Sequence, residues 1–243
     1  MRGRGAGCAA VLLMVLTGCG DEGSTAETKP TRTPKPTTAP GADGHADADK
    51  VFTDAELKAA LLPAKAIGKK ARASEPTLGF FNQHRGGGDW GTCEPATKLL
   101  GELRRMQGAS AGHTLRPLSG PVSDGDPYVS ESLISMPAEQ ASRYLDLRRQ
   151  LHDGCPVVTV DTEAAPVDEH HQAWRLPDMG DEAVLETLRY TGGDEYDGTP
   201  HYTVEMRVGG VLVLVDGGTD KDLTISSAAK AAERVRRELY KAS

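Results

Sequence analysis

The chain predicts an α+β fold, a mainly antiparallel β-sheet packed with amphipathic α-helices and closed by one disulfide. Three observations predict it. Between residues 113 and 215, β-rich segments succeed one another with hairpin-length links, which favours antiparallel pairing. Segments near 94–106, 137–153 and 222–240 carry apolar residues at helical spacing, and such stripes must be buried against another layer. Aromatic residues make up only 5% of the 243-residue chain, so the core has to be aliphatic.

The N-terminal segment is an export signal. Arg2 and Arg4 make a basic start, and Cys8 to Leu16 form an apolar stretch too short to span a bilayer. The run Leu16-Thr17-Gly18-Cys19 resembles the lipobox of bacterial lipoproteins. The resemblance implies that residues 1–18 are a signal peptide, that Cys19 carries lipid, and that Cys19 becomes the mature N-terminus. An ordinary secretory signal ending by chance in a cysteine and a start site placed too far upstream are the alternatives. Two or more acyl chains on one residue hold a protein on a membrane where a single chain does not. The expected location is therefore the extracytoplasmic face of the cell membrane.

Residues 19–50 form a tether. Thr, Pro, Ala, Gly and Asp dominate it, as in Lys29-Pro30-Thr31-Arg32-Thr33-Pro34. Such a composition buries too little surface to offset its ordering entropy. A tether of this length averages about 30 Å as a coil and reaches about 90 Å if extended as polyproline helix. Residues 51–243 carry no second linker and read as a single domain.

Order begins at Phe52. Thr53 and Glu56 form a T-x-x-E capping box, and Phe52 stands where a hydrophobic staple meets Leu57. The helix is expected to run to about Leu62, before Pro63. A second helix starts near Glu94, with Ala96, Leu99, Leu100, Leu103 and Met106 on its apolar face. Strands are expected over His113–Leu118 and Tyr128–Ser135. A third helix covers Pro137–Asp153, where Arg148, Arg149 and His152 suit its C-terminal end and Gly154 suits the position just beyond it. Pro156–Asp161, Gln172–Leu176, Ala183–Thr191 and His201–Val208 read as strands. Gly209-Gly210 makes a tight hairpin into Val211–Val215, which is apolar on both faces and so should be a central strand. The last helix spans Asp222–Tyr240, with Ile225, Ala228, Ala229, Ala232, Val235 and Leu239 as its stripe.

Four cysteines are present. Cys8 leaves with the signal peptide and Cys19 takes lipid. Cys93 and Cys155 remain, an even pair in an oxidising compartment, which points to a structural disulfide. Two free thiols or a redox pair are the alternatives, and there is no C-x-x-C spacing to favour the redox pair.

Several fragments mimic sites. Gly108-Ala109-Ser110-Ala111-Gly112 matches the G-x-S-x-G nucleophile elbow, but that elbow needs a strand before its serine and a helix after it. Here a helix precedes and a strand follows, so a loop of small residues is expected. His170 and His171 follow Asp168 and Glu169 and read as a solvated loop between strands. Only a weak surface metal site at His170 and His171 stays open, because adjacent residues point apart and no third histidine stands at useful spacing. Asp194 to Asp197, and Asp216 with Asp220 and Asp222, lack calcium-loop spacing. Gly86-Gly87-Gly88 lacks the lysine of a phosphate loop. Trp90 and Trp174 read as core residues. No catalytic, cofactor-binding or metal-binding residue is assigned, and no cofactor is expected.

The order of elements from residue 51 resembles the PknH-like extracellular sensor domains found on some bacterial Ser/Thr kinases and on related lipoproteins. Four stretches carry the resemblance. They are Leu57-Lys58-Ala59-Ala60-Leu61-Leu62-Pro63, the unit from Leu133 through Pro137 and Leu151 to Cys155, Trp174-Arg175-Leu176 with Gly180-Asp181-Glu182-Ala183, and Arg207-Val208-Gly209-Gly210 with the following strand and helix. The resemblance implies an antiparallel sheet with helices around a ligand cleft. It also implies that Cys93 and Cys155 are bonded, with the second bridge of better-known members missing. No kinase domain accompanies the chain.

The function expected is a lipid-anchored, non-catalytic binding or sensing module. An extracytoplasmic hydrolase with a dispersed active site and a structural cell-envelope partner are the alternatives. Removing the signal peptide takes two positive charges from a net charge of −7 and leaves −9. That balance argues against nucleic acid and polyanions and favours a neutral or cationic small molecule, glycan or peptide, unless a local patch reverses it.

Overall fold

The computed structural model describes residues 49–74, 90–116, 126–162, 165–192 and 198–241. Cys8, Cys19, the signal peptide, the tether up to residue 48, Gly86–Gly88 and Asp194–Asp197 lie outside the described residues. Eight strands among the described residues form one sheet: β1 (Arg72–Ser74), β2 (Ala109–Arg116), β3 (Val129–Ser135), β4 (Val157–Val160), β5 (Val167–Arg175), β6 (Glu182–Thr191), β7 (Pro200–Val208) and β8 (Val211–Asp216). Their order is β1-β2-β3-β8-β7-β6-β5-β4, and all neighbours are antiparallel. Four α-helices among the described residues cover the sheet: α1 (Asp54–Ala60), α2 (Glu94–Arg105), α3 (Ala138–Gly154) and α4 (Lys221–Leu239). The expected α+β class is observed.

The two faces of the sheet carry separate cores. Odd-numbered residues of β3 and β8, among them Leu133 and Val213, join Met206 of β7 and Leu185 of β6 under α1 and α4. Even-numbered residues such as Ile134, Leu212 and Leu214 join Trp90, α2 and α3 on the other side. Because β8 serves both cores, Val211 to Val215 are fully buried and the strand lies between β3 and β7. That is the central place expected of a strand apolar on both faces.

Local signals set the helix ends. The Thr53 backbone N–H donates to Glu56 Oε2 at 2.9 Å, and the Glu56 N–H donates to Thr53 Oγ1 at 3.3 Å, which completes the capping box. Helix α1 stops at Ala60, earlier than expected. Its end is held from a distance, since Arg234 of α4 donates to the carbonyls of Leu61 and Ala59 at 2.7 and 2.8 Å. Gly209 opens the β7–β8 hairpin at φ +59°, and a side chain there would meet Tyr240. Asp220 caps α4 through the Leu223 N–H at 2.9 Å.

Cys93 and Cys155 are bonded, with Cα atoms 6.0 Å apart. The bridge ties the residue before α2 to the residue that ends α3.

Three expectations are corrected. Strand β5 starts at Val167 rather than Gln172, so His170 and His171 lie in a strand and not in a loop. Strand β2 starts at Ala109 rather than His113, so Ser110 is a strand residue paired with Ile134. Of the stripe expected in α4, Ala229 is exposed, while Thr224, Ser227 and Ala231 are buried beside Ala228, Ala232 and Val235.

Candidate ligand cleft

Helix coverage is staggered between the two faces. On one face α1 packs on β2 and β3, and α4 packs on β7 and β8. Among the described helices none packs closely on the same face of β4 and β5, and β6 is covered there only at its start, at Ala183 and Leu185. Two large apolar side chains stand out there, Trp174 at 47% and Val157 at 51% exposure. The register puts Val157 opposite His170, on the same face as Trp174.

A cleft of about 360 Å³ occupies this open half. Strand alternation builds its floor. His170, Gln172 and Trp174 of β5 share one face. The register sets Arg189 opposite His170, Thr187 opposite Gln172, and Tyr202 opposite Thr187. Gly198 and Pro200 bring the β6–β7 connection to one rim, and Lys221, the first residue of α4, brings the other. His170 Nε2 lies 2.8 Å from Thr191 Oγ1, which fixes the ring. The Lys221 ammonium sits 5.9 Å from the centre of the Tyr202 ring.

The cleft differs in charge from the whole chain. Arg189 and Lys221 line it, and among the described residues none that lines it is a carboxylate. Arg189 has no carboxylate partner among the described residues.

Behind the floor, on the opposite face, lies a buried polar network. Tyr144, Arg148 and His152 recur every four residues on α3 and so point the same way. Arg148 pairs with Glu186 of β6 through Nε at 3.1 Å and Nη2 at 2.5 Å, and its Nε is 3.3 Å from Glu205 of β7. His152 Nε2 is 2.9 Å from Glu186, and the Tyr144 hydroxyl donates to Glu205 at 3.2 Å. Burial opposes ionisation of Glu186, but Arg148 and His152 override it and hold the carboxyl well below the usual carboxylate range. Burial, reinforced by the charge of Glu205, pushes the Tyr144 hydroxyl well above the usual phenol range, so it stays a donor. His171 stacks on Trp90 with ring centres 4.4 Å apart, and His152 meets both rings edge-on. His171, Glu186 and Glu205 thus hold from behind the strands whose other faces carry His170, Gln172, Thr187 and Tyr202.

This network was not legible as such. Arg148 and His152 fit the C-terminal end of a helix by charge alone. Their signal is the repeat Tyr144, Arg148, His152 combined with Glu186 and Glu205 at otherwise apolar strand positions.

The expected site residues fall as follows. Trp90 is buried as expected, but Trp174 is half exposed rather than core, since none of the described helices packs over β5 on its side. His170 and His171 point to opposite faces, one into the cleft and one into the Trp90 stack. Among the described residues, no group of three His, Cys, Asp or Glu side chains is placed to hold a metal. Ser110 lies in an extended strand with its N–H bonded to Asp54 Oδ1 at 2.8 Å, not at an elbow. Gly108 and Gly112 flank it because side chains there would collide with backbone carbonyls of β3. Asp216 accepts from the Tyr128 hydroxyl and the Gly218 N–H, and Asp220 caps α4, so both acids already serve local structure.

The arrangement defines an α+β domain with an open, polar, aromatic-floored cleft. No family model matches the chain, and no curated protein matches it in sequence. Among solved structures it is similar to the extracellular domain of PknH from Mycobacterium tuberculosis, with a TM-score of 0.52 and 15% identity over 78% of this chain and 99% of that one. The similarity is one of fold. No described helix is long and apolar enough to cross a membrane.

Proposed function

We propose that this chain is a membrane-anchored extracytoplasmic lipoprotein whose domain binds a ligand in the cleft over β5, β6 and β7 and performs no chemistry on it. One observation carries the reading. Trp174 lies half exposed at a polar cleft, on the half of the sheet that the described helices leave open. An indole held there by a rigid strand offers a large contact area at low entropic cost. Lipid on Cys19 anchors the chain, residues 19–50 space it from the membrane, and residues 51–243 make the sensor-like domain. The likeness to an extracellular domain supports the extracytoplasmic placement.

A thermal-shift screen of envelope glycans, peptides and metabolites tests the reading. A ligand at about a hundredfold excess over its Kd adds about 2.7 kcal/mol to the folded state. Compounds that raise the melting temperature of the wild type, and not of a folded Trp174→Ala variant, support it. A screen in which nothing shifts the wild type counts against it and favours a structural envelope protein held by protein partners.

A further inference from the structure

We propose that the cleft takes an acidic oligosaccharide, one sugar ring lying on the Trp174 indole while a carboxylate or phosphate further along the chain pairs with Arg189 and Lys221. The inference rests on the reading of this cleft as a ligand site and names its ligand class.

Charge decides the sign. The chain as a whole is acidic, at −7, and by that measure an anion is disfavoured. Among the described residues of the cleft the balance is reversed, since Arg189 and Lys221 are present and no lining carboxylate is. Charges beyond about 8–10 Å are screened at physiological salt, so the local pair outweighs the distant surface. A guanidinium without a carboxylate partner presents a fork of donors that matches carboxylate or phosphate oxygens.

The uncharged groups point to a sugar. An indole face takes the apolar face of a pyranose ring, while Gln172, Thr187 and the Tyr202 hydroxyl offer both donors and acceptors for hydroxyl groups. A flat aromatic anion would need an apolar slot on its second face. This cleft has a sheet for a floor and an open top.

The register sets the length. Trp174 is opposite Leu185, and Arg189 stands four residues further along β6. Four strand residues span about 13 Å. A single sugar does not cover that distance. A chain of two or more units does, passing Gln172 and Thr187 on the way.

Calorimetric titration of the full chain in detergent tests this with four probes: trigalacturonate, monomeric galacturonate, a trisaccharide bearing one phosphate, and the neutral maltotriose. Trigalacturonate or the phosphorylated trisaccharide should bind at least about tenfold more tightly than maltotriose, the worth of one charge-assisted contact. Which of the two binds identifies the acidic group. The monomer should bind more weakly than the trimer, and added salt should narrow the gap between acidic and neutral probes. Arg189→Gln and Lys221→Gln should each weaken the acidic probes and leave maltotriose unchanged, with melting temperatures preserved. Equal affinity for acidic and neutral trisaccharides would overturn the proposal. So would acidic binding that survives both Trp174→Ala and Arg189→Gln. If no saccharide binds but another compound shifts the wild type and not Trp174→Ala, the sugar class is wrong and the cleft reading stands. If no ligand of any kind engages Trp174, both fail together.

Discussion

Arg148 of α3 grips Glu186 of β6 inside the fold, with Nε 3.1 Å from Oε1 and each side chain only 6% exposed. The pair does not stand alone. Glu205, His152 and Tyr144 extend it, and together these groups bind α3 to the strands that form the cleft floor.

Removing one member of this network should be costly. Glu186→Ala leaves the Arg148 charge short of a partner in a buried site, and losses of about 3–5 kcal/mol follow such a change. Replacing Arg148, Glu186 and Glu205 together by Met, Leu and Leu should recover much of that loss, because no buried charge is then left behind. Urea denaturation of the single and triple variants checks both outcomes. A single variant as stable as the wild type would contradict the network's role.

The same carboxyl makes stability depend on pH. The Glu186 pKa in the folded state is held well below the ordinary value, as burial is overridden by Arg148 and His152. Its contribution is therefore complete above the unfolded value of about 4.3 and is lost as pH falls toward the depressed native value. Denaturation midpoints measured from pH 7 down to pH 2 should drop below about pH 4 in the wild type. In Glu186→Gln the drop should be shallower, from a lower starting stability.

The Cys93–Cys155 bond closes a loop of 62 residues. In the chain-entropy model such a closure is worth about 4 kcal/mol before any strain. Cys93→Ala with Cys155→Ala should cost a few kcal/mol in chemical denaturation, and the denatured wild type should show no free thiol from this pair without reductant. Labelling of either cysteine under those conditions would contradict the bond.

Cys19 should be the mature N-terminal residue and should carry acyl chains. Intact-mass and peptide mass spectrometry of the protein from its native membrane checks this. An unmodified N-terminus elsewhere in the chain would remove the anchor from the account.

How much of this was legible depends on how local each signal is. The Thr53–Glu56 box, the Gly209-Gly210 hairpin and the doubly apolar Val211–Val215 strand are encoded in a few adjacent residues, and all three stand as expected. The class of fold followed from the succession of β segments with short links and from the apolar stripes of the helices. Strand β5 was only half legible. Over Asp168–Gln172 one of its faces enters the buried polar network and the other enters the cleft, so the apolar alternation that marks a strand is missing. Trp174 read as core because its exposure is set by where α4 stops, over β7 and short of β5. That is a tertiary fact with no local signature. The two cations of the cleft have the same character, since Arg189 and Lys221 are 32 residues apart and come to line one cleft only once α4 has docked.

The chain has two tryptophans, Trp174 at the cleft and Trp90 buried against His171. Their indole N–H resonances therefore report separately on the cleft and on the core behind it. Titration of ¹⁵N-labelled protein with a compound that raises its melting temperature tests the central claim most directly, with Trp174→Phe assigning the two peaks. The account predicts that the Trp174 peak moves in proportion to saturation while the Trp90 peak stays in place. A Trp174 peak that stays fixed at saturating ligand would contradict it.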